Sequence, residues 1–252
     1  MSERAIFDAL LWVTLALAVA TFLVLLFVVA PYGRHGRGGF GPLVSGTLGW
    51  VLMESVAAIV PVATFLLAGA PLGPVAWIFL ALWELHYLHR AFVYPFRRKV
   101  AGAMPVLVVA LGALFNLVNG YLNGRWLSHF APPLGLAWLG GARFLAGLCL
   151  FLTGLALNLH SDQVLFDLRA RGRAGYAVPQ RGLHRLVASP NYLGELVEWT
   201  GFAVLTWSPA AAVFLAWTAA NLVPRAIANL RWYRRTFPDY PRRRRALVPF
   251  LL

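Results

Sequence analysis

The sequence is poor in charged residues and in cysteine. Only 12% of its 252 residues are charged, whereas an ordinary soluble domain has about 25%. Cys149 is the one cysteine, which excludes an internal disulfide and a metal site made only of cysteines. Acidic side chains are also few, nine against 22 basic ones. Because 60% of the residues are hydrophobic, the composition predicts an integral membrane protein.

Long apolar runs follow one another along the chain, and each is a candidate for a membrane-spanning helix of about 20 residues. They predict an all-α, polytopic membrane protein with seven transmembrane helices and one domain over residues 1–252. No internal repeat is visible, so a transporter is suggested only by the helix count. The first run is too long for a signal peptide and is predicted to be a retained span. The runs are Ile6–Ala30, Leu48–Leu67, Val75–Tyr94, Met104–Leu122, Leu134–Asn158, Leu193–Trp207 and Pro209–Leu230.

Basic residues are concentrated in alternate connections between these runs. Cytoplasmic loops carry the excess of Lys and Arg, so the pattern predicts an outside N-terminus and a cytoplasmic C-terminus. It favours a bilayer over nucleic acid as the partner of the positive charge, and leaves a bacterial inner membrane and an endoplasmic reticulum both open. The residues concerned are Arg34, Arg37, Arg97, Arg98, Lys99, Arg169, Arg171, Arg173, Arg181, Arg185, Arg231, Arg234, Arg235 and Arg242–Arg245.

Carboxylates and other polar groups inside apolar runs are costly, and they mark functional positions unless they form structural ion pairs. Glu54 lies within the second run, where both interpretations stay open. In the third run, Glu84, Tyr87 and Arg90 are spaced by three and are expected to share one helix face. A tyrosine near a carboxylate is a plausible proton donor to a carbonyl. His86 and His89 suggest a metal only weakly, because no second ligand motif accompanies them, and we predict none.

The segment GRGGFG, residues 36–41, matches the pattern of a dinucleotide-binding glycine motif. That motif must follow a strand and open a helix in a βαβ unit. Here it follows an apolar run and leads into Pro42. We therefore interpret it as a loop, and any nucleotide site must be built differently.

The stretch LNLHSDQVLFDLRARG, residues 157–172, places polar groups at the end of the fifth run. Asn158, Asp162 and Arg169 fall near one side if the helix continues, and Asn191 and Glu195 repeat the four-residue spacing where the chain re-enters the membrane. Amide, carboxylate and guanidinium groups suit the hydroxyl and phosphate groups of a nucleotide. The pattern favours a nucleotide site at the cytoplasmic face. Helix capping and contacts with lipid headgroups remain the alternative. The connection from Leu159 to Asn191 is predicted to be a long functional loop.

The stretches LNLHSDQVLFDLRARG, GYAVPQRGLHRLVASPNYLGELVEWTGFAVLTWS and RWYRRTFPDYPRRRRALVPFLL resemble the steroid 5-alpha reductases. Together they cover most of the last hundred residues, and they are also similar to membrane reductases of enoyl and polyprenol substrates. YGRHG, LHYLHRAFVYP and NGYLNGRWLSH in the first half are similar to the steroid enzymes in the same order. Reduction of another lipid, such as a polyprenol or an enoyl thioester, is the alternative. An S-adenosylmethionine-dependent membrane methyltransferase is a more distant one.

The resemblance implies NADPH as cofactor, a hydrophobic 3-oxo-Δ4 steroid as substrate, and no obligate protein partner. Glu54 and Tyr87 match the pair that contacts the C3 carbonyl, and Trp50 is expected to pack on the substrate. Met53 departs from the glutamine of familiar relatives. Residues 1–130 are expected to form mainly the substrate half, and residues 131–252 mainly the NADPH half. Matches to cofactor contacts are Asn158, Asp162, Arg169, Tyr176, Asn191, Glu195, Tyr233 and Arg244, with Arg90 and Arg225 assigned less specifically.

Overall fold

Helices dominate the fold. The computed structural model describes residues 1–31, 33–36, 39–69, 71–98, 102–170 and 176–252. Two three-residue strands, β1 (Leu43–Ser45) and β2 (Ala103–Pro105), pair antiparallel, with Val44 opposite Met104. The α-helices are α1 (Glu3–Phe27), α2 (Gly46–Leu66), α3 (Pro74–Leu88), α4 (Tyr94–Arg97), α5 (Val106–Arg125), α6 (Ala142–Ala170), α7 (Pro190–Thr206) and α8 (Pro209–Thr236).

Five helical segments of the described chain are long and apolar enough to cross a membrane, which confirms the predicted all-α polytopic membrane fold. The predicted third and sixth spans overlap α3 and α7, which have 15 and 17 residues. Both are shorter than the usual span of about 20 residues. The count of seven spans therefore stays a prediction. The five segments are Glu3–Phe27, Gly46–Leu66, Val106–Phe130, Ala142–Ala170 and Pro209–Thr236.

The prediction of a loop from Leu159 to Asn191 is wrong for residues 159–170, because α6 continues as a helix to Ala170. Ser161, Asp162 and Phe166 are buried on this extension, and that packing sustains the helix beyond the apolar run. Arg37, Lys99, Arg171 and Arg173, on which the predicted topology partly depends, lie outside the described residues. Gly38 of the GRGGFG segment does too, and the described end of that segment leads into β1 rather than into a helix.

Glycines bring the backbones of α6 and α7 into direct contact. A β-carbon at Gly147 would lie 2.5 Å from the backbone nitrogen of Leu205, and one at Gly194 would lie 2.5 Å from that of Asn158. A β-carbon at Gly154 or Gly201 would overlap backbone atoms of the facing helix. Since low residue numbers on α6 face high numbers on α7, the two helices run antiparallel. Small residues permit this close approach of membrane helices.

The turn between α7 and α8 is sharp and locally determined. Trp207 has a φ of 51° and a left-handed backbone, which ends α7. Ser208 then caps α8 by accepting a hydrogen bond from the Ala211 N–H, and Pro209 occupies the first turn, where no intrahelical donor is needed. The two helices therefore lie next to each other in the fold.

An aromatic core packs around α3 and connects it to α7 and α8. The indole of Trp83 lies 5.3 Å from that of Trp199 and 5.4 Å from the Phe214 ring, measured between ring centroids. Trp83 also donates a hydrogen bond of 2.8 Å to the carbonyl oxygen of Ala57 on α2. Tyr87 is buried one turn further along α3, with its ring 4.8 Å from Trp83. This core holds the third predicted span against the other helices.

We predict that Gly201→Ala destabilises the protein although alanine is the better helix former. The added methyl group would overlap the backbone of Phe151, and overpacking of this kind costs about 1–3 kcal/mol. The gain in helix propensity is only about 0.5–1 kcal/mol. Thermal unfolding in detergent should give a lower midpoint for Gly201→Ala. Gly135→Ala is the control, because a β-carbon there meets no atom within 4 Å, and an equal midpoint for the two variants would contradict the packing argument.

Candidate functional site

Arg90 lies at the centre of a buried polar cluster. It belongs to a π-helical turn, His89–Val93, that joins α3 to α4, and such turns are frequent at functional sites. Its two terminal nitrogens lie 3.8 Å from Asp162 on α6 and 3.8 Å from Glu195 on α7. The three side chains are 14%, 3% and 15% exposed. One cation thus faces two carboxylates from the two helices that glycines hold together.

Aromatic rings cover the other side of the Arg90 guanidinium. Its central carbon lies 4.8 Å from the ring centre of Trp50 and 4.4 Å from that of Tyr94. The Trp50 indole N–H also donates a hydrogen bond of 3.1 Å to the Arg90 carbonyl. A guanidinium over an aromatic face is stabilised electrostatically. Trp50, predicted to pack on a substrate, therefore also orients Arg90.

Two asparagines extend the cluster across the α6–α7 interface. Asn158 donates a hydrogen bond of 3.0 Å to the carbonyl oxygen of Asn191, and Asn191 donates one of 3.0 Å to the Asp162 carboxylate. The structure thus brings Asn158 and Asp162 on α6 together with Asn191 on α7. We call Arg90, Asn158, Asp162, Asn191 and Glu195 the embedded polar cluster.

The embedded polar cluster has unused hydrogen-bonding capacity. Buried oxygens of Asp162 (Oδ2) and Glu195 (Oε2), and the hydroxyl of Ser161 beside them, have no hydrogen-bond partner among the described residues. The separations from Arg90 exceed ordinary hydrogen-bond lengths. Buried polar groups are normally satisfied, so these atoms fit the hydroxyl and amide groups of a bound nucleotide.

Glu54 and Tyr87 lie at the edge of the cluster. The half-buried Glu54 on α2 is 3.5 Å from the Asn116 side-chain amide, which donates a shorter hydrogen bond of 2.8 Å to the Met53 carbonyl. Arg90 and Glu195 lie within electrostatic range of the Glu54 carboxyl group, and Glu54 lies within the same range of Tyr87. No hydrogen bond among the described residues joins Tyr87 to Glu54, so any shared contact runs through a third group.

Methionine at position 53 fits against α5 because the facing residue is glycine. A β-carbon at Gly112 would overlap the Met53 thioether sulfur. This contact turns Met53 toward α5, beside the carboxylate-bearing face of α2. Methionine in place of the glutamine of familiar relatives is thus accommodated by packing against Gly112 rather than by a polar partner.

A buried pair of His86 and Glu198 was not predicted from the sequence. The His86 Nδ1 lies 2.8 Å from a Glu198 oxygen, and both side chains are buried. The His86 ring also packs on Trp199 and Tyr87, with centroids 4.7 Å and 5.0 Å away. The sequence offered one signal for this pair, because Glu198 places a carboxylate inside the apolar sixth run. His86 thus pairs with a carboxylate, and no group of three or more His, Cys, Asp or Glu among the described residues could hold a metal ion.

Glu84 forms no hydrogen bond or ion pair with Tyr87 or Arg90 among the described residues. Its Oε1 is buried without a hydrogen-bond partner among the described residues, and the ion pairs of Arg90 are with Asp162 and Glu195. The expected common face of Glu84, Tyr87 and Arg90 is therefore not a single polar surface. The π-helical turn that begins at His89 changes the helical register between Tyr87 and Arg90.

Three further candidate residues lie near the C-terminal segment. Arg244 is 3% exposed, and its terminal nitrogens donate to the Pro179 carbonyl at 2.9 Å and to the Gln180 side chain at 2.5 Å. Tyr233 is buried and stacks on Tyr240, with centroids 5.1 Å apart and an interplanar angle of 13°. The partly exposed Tyr176 packs edge-on against Trp232 at 5.0 Å.

Arg169 and Arg225 make different contacts. Arg169 donates a long hydrogen bond of 3.4 Å to the Arg98 carbonyl. Arg225 donates to the Tyr192 hydroxyl at 3.2 Å and to the Ala30 carbonyl at 3.5 Å. Arg225 therefore ties the end of the first apolar run to α7 and α8.

A cleft of about 730 Å³ opens between the end of α6 and the segment from Tyr176 to Arg181. Its lining includes Asp167, Leu168 and Phe237. Ligand sites for small molecules usually measure about 300–1,000 Å³. The cleft lies beside Pro179 and Gln180, which contact Arg244, and is large enough for part of a dinucleotide.

A polytopic helical membrane protein with a buried cluster of carboxylates, amides and arginine is the class of molecule that the fold and site define. The chain belongs to the steroid 5-alpha reductase family, since the family model for 3-oxo-5-alpha-steroid 4-dehydrogenase matches residues 102–252. It is 39% identical to steroid 5-alpha-reductase DET2 of Gossypium hirsutum, over 99% of each chain. It is 36% identical to 3-oxo-5-alpha-steroid 4-dehydrogenase 1 of Bos taurus, over 100% of this chain and 99% of the relative. These similarities confirm the family resemblance noted in the sequence.

We predict that His86 and Glu198 are energetically coupled. Replacing either residue by leucine leaves the other polar group buried without its partner, which typically costs about 1–3 kcal/mol. The double variant removes both groups and should lose less stability than the sum of the two single variants, with a coupling energy of about 0.5–3 kcal/mol. Thermal unfolding of the four proteins in detergent measures this cycle, and strictly additive losses would contradict the pairing.

Proposed function

We propose that this protein reduces the Δ4 double bond of 3-oxo-Δ4 steroids with NADPH, giving 5α-3-oxosteroids. The proposal is supported by relatives named steroid 5-alpha-reductase and 3-oxo-5-alpha-steroid 4-dehydrogenase that are similar over essentially the whole chain. The observation that carries it in the structure is that Arg90 faces Asp162 and Glu195 at 3.8 Å, through carboxylate oxygens that have no hydrogen-bond partner among the described residues. An enzyme that binds a polar cofactor and an apolar substrate needs such a polar site among apolar helices.

Bound NADPH would supply a hydride to C5 of the steroid, and C4 would gain a proton. Addition of hydride to the β-carbon of an enone builds negative charge on the C3 oxygen. Tyr87 would donate a hydrogen bond to that oxygen, and Glu54, in its protonated form, would donate a second one from α2. Donors aimed at a developing oxyanion in a water-poor site contribute strongly to catalysis. The absence of a direct bond between Tyr87 and Glu54 suits a carbonyl oxygen lying between them.

The proposed cofactor residues fall into two groups. Asn158, Asp162, Asn191 and Glu195, together with Arg90, offer hydrogen bonds to ribose and amide groups. Tyr176, Tyr233 and Arg244 offer stacking and phosphate contacts. Arg169 and Arg225 would complete the positive surroundings. Residues 1–130 would form mainly the substrate half and residues 131–252 mainly the cofactor half, with Arg90 reaching across from the first to the second.

We also propose that the N-terminus faces the periplasm or lumen and that the C-terminus is cytoplasmic. The excess of arginine after the fifth run and in the C-terminal segment supports this orientation. It would bring NADPH, a cytosolic cofactor, to the side of Arg244. A reporter that works only in the cytoplasm should give signal when it is fused after Leu252 and none when it is fused before Met1. Signal from the fusion before Met1 would contradict the orientation.

Consumption of NADPH by detergent-solubilised protein tests the reaction. The panel contains a 3-oxo-Δ4 steroid, an enoyl thioester and a polyprenol. We expect NADPH oxidation with the steroid, and deuterium from labelled NADPH at C5 of the product. Oxidation with only the thioester or the polyprenol would replace the steroid assignment by that of another lipid reductase.

We predict that Tyr87→Phe and Glu54→Leu lower the chemical rate much more than the affinity for NADPH. Loss of one donor to a developing oxyanion typically costs about 100- to 1,000-fold in turnover. Single-turnover measurements separate this step from cofactor binding. Tyr121→Phe is the matched control, because the Tyr121 hydroxyl donates to Glu3 at an exposed site. Near-normal single-turnover rates in either variant would remove that residue from the proposed mechanism.

A further inference from the structure

The residues Ala246–Leu252, which we call the closing segment, pack on the sides of α7 and α8. Ala246 and Leu247 are buried there against apolar side chains of the sixth and seventh predicted spans. Since a helix rises about 1.5 Å per residue, Val223 lies about 10 Å inside the end of the seventh run at Leu230. The closing segment therefore reaches the depth of the apolar runs. The residues that it contacts include Leu193, Leu196, Val223, Ile227 and Leu230.

The other side of the closing segment is apolar and exposed. Phe250 and Leu251 are 79% and 81% exposed, and Leu252 is exposed as well. Contiguous exposed apolar side chains mark a contact with a membrane or with another protein. Because the same segment packs on helices that cross the bilayer, lipid is the neighbour that its position supplies.

The backbone of the closing segment satisfies its own hydrogen bonds. The N–H groups of Leu247 and Val248 donate to the main-chain oxygen of Leu252 at 2.7 Å and 2.8 Å. The N–H groups of Leu251 and Leu252 donate to the Val248 carbonyl at 3.2 Å and 3.1 Å. Phe250 reverses the chain with a φ of 67°. A closed turn of this kind suits an apolar surrounding, where backbone groups find no water to bind.

Exposed arginines stand directly before the closing segment. Arg242, Arg243 and Arg245 are exposed, and none of the ion pairs in the described part of the chain includes them. Asp239 is the only acidic residue of the sequence between Arg231 and Leu252. Basic residues next to a span lie at the depth of the headgroups and attract anionic lipids. The charge of this surface is thus complementary to an anionic membrane surface.

We propose that the closing segment is an interfacial anchor. Phe250 and Leu251 insert into the lipid leaflet beside α7 and α8, and the three exposed arginines bind the headgroups of anionic lipids at its edge. Membrane binding by interfacial segments grows with buried apolar area and with attraction to anionic lipids, and this surface offers both. Arg244, a proposed cofactor contact, lies among these arginines, so the anchor connects the lipid surface to the cofactor half.

Fluorescence quenching at a single site tests the anchor on the full-length protein in lipid nanodiscs, which leave both faces open to solutes. Cys149, an exposed thiol, is replaced by serine, and a fluorophore is attached to Phe250→Cys. Iodide reports water at the label, and a nitroxide on a lipid acyl chain reports hydrocarbon. Leu17→Cys is the hydrocarbon control, because Leu17 is exposed within a candidate span. Asp239→Cys, exposed beyond the end of α8, is the water control.

We expect the label at Phe250 to be quenched by the acyl-chain nitroxide and protected from iodide, as at Leu17. Leu251→Cys should give the same result from a second position. Iodide quenching as strong as at Asp239 would overturn the insertion. Protection from both quenchers would place a protein surface, such as a second copy of the chain, on the segment, and would also overturn it.

The same label measures the headgroup preference when the nitroxide is carried either by phosphatidylglycerol or by phosphatidylcholine in otherwise equal mixtures. An arginine near the surface enriches anionic lipid by about fivefold, so phosphatidylglycerol should quench more strongly. Replacing Arg242, Arg243 and Arg245 together by glutamine should abolish the difference. Arg143→Gln is the control, because Arg143 begins α6 at the opposite end of the spans, and it should preserve the difference. Equal quenching by the two lipids in the wild type, or an unchanged preference in the triple variant, would overturn the role of the arginines.

Discussion

The backbones of α6 and α7 touch because glycines occupy both sides of their interface. Every polar residue of the embedded cluster apart from Arg90 projects from one of these two helices. Asn158 can reach the carbonyl of Asn191 only because Gly194 lets the α6 backbone approach. Asp162 and Glu195 then stand close enough to face one guanidinium. A single added methyl group between the helices would separate the hydrogen-bonding partners, so the site depends on an apolar packing constraint.

Much of the fold and part of the candidate site could be predicted from local patterns. The four-residue spacing of Asn158 and Asp162, and of Asn191 and Glu195, correctly indicated helix faces that carry polar groups. The extension of α6 was missed because its polar residues look like a loop until their burial is known. That burial comes from tertiary contacts, which a single sequence does not display. Resemblance to the steroid 5-alpha reductases supplied the identity of the family, and the relatives confirm it.

The pairing of His86 with Glu198 shows a contact that local sequence patterns cannot predict. The two residues are 112 positions apart, and neither spacing nor composition connects them. Arg34 illustrates the same limit, since its neighbours Tyr176, Trp232 and Tyr233 come from the other end of the chain. Long-range partners are fixed by how helices pack. The division into a substrate half and a cofactor half is consequently a statement about sequence order, and residues of the first half such as Arg34, His86 and Arg90 contact the second.

The two polar regions differ in charge, as the two ends of the proposed dinucleotide cofactor do. In the embedded cluster, Arg90 stands against two carboxylates, so positive charge is compensated while hydrogen-bond acceptors remain unused. Around Arg34 and Arg244, positive charge is in excess and the described residues supply no acidic partner. Hydroxyl and carboxamide groups suit the first environment, and a phosphate suits the second. His184 lies between the two regions. It donates a hydrogen bond to the carbonyl of Ser161, next to Asp162, and the charges of Arg34 and Arg244 lower its pKa. A ligand that satisfied both regions would have to be polar at one end and anionic at the other, which is the chemistry of the proposed cofactor.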